Sequence, residues 1–206
     1  MRRFALGLIV FAVAAGMLLT AGCQRDRSFR ILSINQGEIL LSDLVDFGEI
    51  VIREPGGEPE RYEISEVPTD IVDMDLQYVE MGLGLPTWTP YLANVERATI
   101  SYVNLETGET YEAVQVALSA AVQADPEGRR STRVQIAIAP GQWKASTFED
   151  YLQTAPEDDD YGPVATVKAT VTVEGIDYVS TNRVRATKDC LIIFGNFWDE
   201  PSRLGQ

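Results

Sequence analysis

Val164-Ala165-Thr166-Val167-Lys168-Ala169-Thr170-Val171-Thr172-Val173-Glu174 alternates apolar and polar side chains without a break. A helix would scatter those apolar residues around its cylinder, whereas a strand sends successive side chains to opposite faces. Val and Thr also favour strands, because their branched side chains fit a pleated surface. The spacing predicts a strand with Ala165, Val167, Ala169, Val171 and Val173 on one face, and Gly175 is expected to end it. A strand with one apolar face has to stack that face on another sheet.

The pattern repeats outward in both directions. Downstream, Arg183 to Thr187 and the apolar run Cys190 to Phe197 read as further strands. Upstream, Val134, Ile136 and Ile138 alternate with polar residues, as do Ala98, Ile100 and Tyr102, and Val72, Met74, Leu76 and Tyr78. Phe29 to Ile34 and Glu38 to Leu41 read as short strands. Ile50 to Ile52 and Tyr62 to Val67 flank the turn-rich Glu54-Pro55-Gly56-Gly57-Glu58-Pro59 and suggest a hairpin. Tyr111 to Gln123 fits period two, but Val114, Leu118, Ala121 and Val122 would also stripe a helix. The Asp125-Pro126-Glu127-Gly128 turn behind it favours a strand. Ser146-Thr147-Phe148-Glu149 has the form of a capping box and predicts one short helix carrying Tyr151 and Leu152. Eight to ten strands with almost no helix predict an all-β fold, a two-sheet antiparallel β-sandwich over residues 29–200 with a tail at 201–206.

The N-terminus reads differently. Arg2-Arg3 precedes an apolar run from Phe4 to Thr20, and Leu19-Thr20-Ala21-Gly22-Cys23 closes it. Small residues before a cut site suit a signal peptidase. This stretch resembles the lipobox of bacterial lipoproteins, although Thr20 stands where that family usually has an aliphatic residue. The resemblance implies that residues 1–22 are a cleaved signal peptide and that Cys23 carries lipid. It further implies that 23–28 form a tether to a cell-envelope membrane. In that family an Asp after the Cys commonly retains the protein at the inner membrane, so Gln24 leans toward the outer one. An uncleaved transmembrane anchor, about 20 residues being needed to span, and an ordinary cleaved signal stay open. Beyond the leader, the pattern from Val164 to Phe197-Trp198-Asp199 resembles the uncharacterised immunoglobulin-like domains of exported bacterial lipoproteins. That resemblance implies no activity, and the Cys…Trp…Cys arrangement of antibody domains is absent.

Composition excludes more than it suggests. The chain has 206 residues, and 31 acidic against 17 basic residues give a formal charge of −14. Arg2 and Arg3 are the only charges before Cys23, so the remainder carries −16. Such a chain is expected to be repelled by nucleic-acid phosphates and by anionic lipid headgroups. No nucleic-acid partner is expected. There is no His, which removes Ser-His-Asp and Cys-His nucleophile systems and His-based zinc sites. Carboxylate chemistry, Lys or Ser nucleophiles and calcium remain. With Cys23 lipidated, Cys190 has no partner for a disulfide and is expected to be a buried strand residue.

Three candidate sites stand out. Trp88 and Tyr91, in a segment marked by Pro86 and Pro90, could form with Trp143, Phe197 and Trp198 a stacking platform for a sugar or peptide. Glu157-Asp158-Asp159-Asp160 is the densest acidic run, but the spacing that follows it fails an EF-hand, so no metal site is expected. Paired carboxylates for glycoside hydrolysis need no His, but among 31 acidic residues a pair at the right separation is expected by chance. The reading is therefore a membrane-anchored envelope lipoprotein displaying a non-enzymatic interaction or structural module, with no cofactor and an envelope protein or glycan as partner. A ligand-binding module for carbohydrate or calcium is the alternative, and a carboxylate-based hydrolase stands third.

Overall fold

The computed structural model describes residues 26–52, 60–81, 92–153, 162–179 and 181–197. Ten strands follow in order: β1 (Asp26–Ile34), β2 (Leu40–Asp43), β3 (Asp46–Ile52), β4 (Glu60–Glu66), β5 (Asp70–Met81), β6 (Leu92–Asn104), β7 (Thr110–Gln123), β8 (Thr132–Ala139), β9 (Gly162–Asp177) and β10 (Arg183–Asn196). Between β8 and β9 lie two short helices, α1 (Gly141–Thr147) and α2 (Glu149–Gln153), one helical segment interrupted at Phe148. The protein is all-β, with a three-stranded sheet β1-β5-β8 facing a five-stranded sheet β2-β10-β9-β6-β7 that curls as a half-barrel. β3 and β4 form the expected hairpin as a separate two-stranded sheet.

The alternation that predicted β9 holds along its length. Ala165, Val167, Ala169, Val171 and Val173 are buried, and they pack with Ile100, Tyr102, Ile192 and Phe194 against Met74, Leu76, Ile136 and Ile138 of the other sheet. The ambiguous stretch from Tyr111 is strand β7, paired antiparallel with β6.

Five expectations need correction. Gly175 does not end its strand. β9 runs on to Asp177, and Gly175 sits where a bulge in β6 brings the backbone so close that a Cβ would meet the Asn94 oxygen at 2.2 Å. Arg183 to Asn196 is one continuous strand, not two. Pairing is not wholly antiparallel, because β2 runs parallel to β10. The helix starts earlier than the capping box suggests: Ser146 lies in the last turn of α1, its hydroxyl donating to the Trp143 carbonyl at 3.0 Å. Finally, β1 begins at Asp26, so three residues of the expected tether belong to the sheet.

The topology gives the sandwich two distinct ends. β1 starts at the same end where β5 stops, β6 starts, β7 stops and β9 turns into β10. This follows from the registers Ser28↔Val79, Leu92↔Gln123 and Ala93↔Asp177, with Tyr78 bridging to Ala124 between the sheets. We term it the leader-side end. The distal end carries the β1–β2 connection, the β6–β7 turn and the helical segment.

Candidate functional site

Among the described residues, the distal end holds a constellation whose residue types could carry chemistry. α1 starts behind Pro140, and its first residue, Gly141, lies against β4–β5: a Cβ there would stand 2.2 Å from the Val67 oxygen. The Gly141 N–H donates to Thr69 Oγ1 at 2.9 Å. This close approach, which only glycine permits, drives Lys144 one turn later into the space between β2 and β5. Lys144 is fully buried, as is Ser42. Its Nζ donates to the Asp43 carbonyl at 2.7 Å, to Asp70 Oδ2 at 3.1 Å and to Ser42 Oγ at 3.4 Å. The Ser42 hydroxyl donates to Asp70 Oδ2 at 2.6 Å. Beside Lys144, Trp143 stacks on Tyr102 with ring centroids 4.0 Å apart, and its Nε1 donates to the Glu112 carbonyl. Tyr111, Phe148 and Phe194 complete the aromatic cluster.

A serine beside a lysine and a carboxylate has the parts of a nucleophile, a base and an orienting group. The geometry uses them otherwise. The Ser42 proton points to Asp70, not to the amine that would remove it. An ammonium has three donors and no acceptor, and here each donor has its own acceptor. Burial lowers the Lys144 pKa, and the carboxylates of Asp70 and Asp43 oppose the shift. No solvent reaches Ser42 or Lys144, so a substrate has no approach to the pair. The arrangement ties α1 to β2 and β5. The Asp43 carboxylate extends it by accepting the Phe197 N–H at 2.8 Å.

The residues singled out from sequence fall elsewhere. Cys23, Trp88, Tyr91 and Trp198 lie outside the described residues, as does Glu157 to Asp160. Trp143 does not join a platform, because it is buried in the aromatic cluster, and Phe197 is partly buried. Cys190 is half-buried, not fully buried: its side chain faces inward from β10, and burial pushes the thiol up to about 11. Among the described residues, no group of three or more acidic or thiol side chains could hold a metal ion. The buried lysine had one signal in the sequence, a lone charge inside the otherwise uncharged Pro140–Phe148 stretch, and the misplaced capping box hid it. Its partners are 74 and 102 positions away in the chain, which no local pattern reports.

The leader-side end is closed by backbone turns. Buried Asp177 accepts the Val179 N–H at 2.8 Å and the Tyr78 hydroxyl, while its own N–H donates to the Asn182 carbonyl. Nearby, the Asp125 carboxylate accepts the N–H groups of Glu127, Arg129 and Arg130 at 2.7–3.1 Å, and these bonds hold its pKa below the usual carboxylate range. Gln77, also buried, donates to the Gly128 carbonyl at 2.7 Å and fixes this loop to β5. Both turns are held in place from within, and both project side chains outward.

No family model, curated protein or solved structure matches the chain.

Proposed function

We propose that the protein is a cell-envelope lipoprotein, anchored by lipid on Cys23, whose sandwich domain is a non-enzymatic interaction or structural module. The observation that carries the reading is the junction between leader and fold. The charged-then-apolar leader ends Ala21-Gly22-Cys23, and the first strand begins at Asp26. A lipid-bearing cysteine would then sit immediately outside a folded domain, with no room for an intervening unit. Two or more acyl chains on one residue anchor stably, where one holds only marginally. Gln24 favours the outer membrane in a cell that has two. The immunoglobulin-like character of the sandwich belongs to the same proposal and rests on the long β9–β10 hairpin. The non-enzymatic part is supported by the full burial of Ser42 and Lys144, and the absence of a nucleic-acid partner by the net charge of −14.

Expression of the full chain beside a Cys23→Ser variant tests the anchor. Wild type is expected in the membrane fraction with added lipid mass, and Cys23→Ser is expected to lose both. A variant that stays firmly membrane-bound would assign the attachment to an uncleaved leader helix instead.

A further inference from the structure

Among the described residues, Lys144 is the one buried cation. Burial lowers its pKa, toward the neutral amine that carries a lone pair. No solvent reaches it, so an electrophile for that amine has to come from the fold itself. Nζ contacts the Asp43 peptide carbonyl at 2.7 Å and the Asp70 carboxyl at 3.1 Å. The Asp43 carbonyl already belongs to an amide, and exchange there would break the chain. The Asp70 carboxyl belongs to an acid, which can condense with an amine.

The neighbours suit that reaction. Ser42 Oγ donates at 2.6 Å to Asp70 Oδ2, the same oxygen that Nζ contacts. A donor there stabilises the charge that builds on the carboxyl oxygen as its carbon is attacked. The Asp43 carbonyl holds an N–H of Nζ that an amide product would keep. The Asp70 side chain is 16% exposed and that of Lys144 0%, so a released water has an exit on the acid's side while the nitrogen stays dry. The two groups lie 74 positions apart in the chain, yet the fold holds them side by side. Placement of that kind is equivalent to a concentration of about 10⁵–10⁸ M for well-oriented groups. Condensation also removes a buried charge pair, whose desolvation cost an amide does not carry.

We propose that Lys144 and Asp70 join in the folded protein through an isopeptide bond, which ties α1 covalently to β5. Two protons of the Lys144 ammonium pass to Asp70 Oδ2. The Nζ lone pair forms the bond to Cγ, the Cγ–Oδ2 bond breaks, and Oδ2 leaves as water. The third proton stays on the amide nitrogen and donates to the Asp43 carbonyl. The step consumes no oxidant, reductant or co-reactant. Each chain reacts once and on itself, so the module stays non-enzymatic toward outside substrates. Until the bond forms, the cluster is the ion pair described above. The inference stands apart from the anchor at Cys23.

The test is a tryptic map, read by mass spectrometry, of the full chain purified from cells and then unfolded in denaturant. Joined chain is expected to resist cleavage after Lys144. It should yield peptide 134–168 attached to peptide 62–97, lighter by one water than the two together. Separate peptides 62–97, 134–144 and 145–168 at full mass would overturn the proposal. So would a lost water that maps to Asp70 alone or to another pair of residues. Lys144→Met and Asp70→Ala chains are each expected to give unjoined peptides, folded or not. A water still lost in either variant would place the bond elsewhere. Ser42→Ala keeps both reacting groups and, followed from synthesis by pulse labelling, is expected to join about 100-fold more slowly. An unchanged rate in a Ser42→Ala chain with wild-type melting would overturn the part given to Ser42.

Discussion

The two ends of the sandwich solve the same closure problem in opposite ways. At the distal end a charge is taken inside: the Lys144 ammonium is surrounded by Ser42, Asp43 and Asp70, and an aromatic cluster seals it. At the leader-side end two carboxylates, Asp125 and Asp177, bind backbone N–H groups and leave arginines and Tyr178 facing outward. One end fixes its shape with a cation taken inside, and the other fixes its turns with acids bound to backbone N–H groups. Substitutions at the first should therefore cost stability, and those of exposed side chains at the second should cost little.

The largest effect is expected at Lys144. Lys144→Ala leaves Asp70 and the Asp43 carbonyl without their cation, and losing one partner of a buried pair costs about 3–5 kcal/mol. Urea unfolding of the full chain checks this. A combined Lys144→Met, Asp70→Asn chain should lose less than Lys144→Ala alone, since no isolated charge is left behind. A Lys144→Ala loss below about 1 kcal/mol, the range of exposed pairs, would mean the two ends do not differ as described.

Next is Asp177→Ala, which removes the acceptor for the Val179 N–H and the Tyr78 hydroxyl. Each buried group left unsatisfied costs about 1–3 kcal/mol. Hydrogen exchange should accelerate at Val179 before it does in β9, and uniform acceleration would show that the turn is not a separate unit.

These two ends also mark where sequence reading succeeds and stops. The alternation from Val164 to Glu174 was enough for β9, because a one-sided strand writes its burial into every second residue. Period two likewise recovered β5, β6 and β8, and the turn-rich Glu54–Pro59 stretch recovered the β3–β4 pairing. Gly175 misled because a turn residue and a close-packed glycine look alike in sequence, and only the Asn94 carbonyl across the sheet distinguishes them. Ser146 misled because the same side chain can cap a helix or bond back into its last turn. The Lys144 cluster was illegible for a deeper reason. It is assembled from β2, β5 and α1, and Lys144 lies 74 and 102 positions along the chain from its partners Asp70 and Ser42.

A moderate effect is expected at Cys190, between the two ends. Its pKa is raised to about 11 from the ordinary 9.0, chiefly by burial. The unfolded chain therefore loses this proton first, and the contribution to stability falls as pH rises from 9 to 11. Tyr102, whose pKa burial also raises, adds a loss in the same direction above its ordinary 10.0. Lys144, lowered by burial, acts oppositely up to its ordinary 10.5. The readout specific to the thiol is alkylation below pH 9, slower in the native chain than in denaturant by about 100-fold from ionisation alone. Equal rates would place Cys190 in solvent. Half-burial also makes Cys190→Ser milder than in a closed core.

The smallest effect on stability is expected from Arg130→Gln. An exposed side chain away from such features changes stability by no more than about 0.5 kcal/mol. A larger loss on thermal melting would mean that the Arg130 side chain is tied into the fold.

The most direct measurement is the intact mass of the chain recovered from bacterial membranes. The account predicts a chain that begins at Cys23 and carries acyl-glyceryl mass on that residue, with Arg2-Arg3 and the apolar leader gone. A chain found in membranes with its leader retained and no added lipid would contradict it.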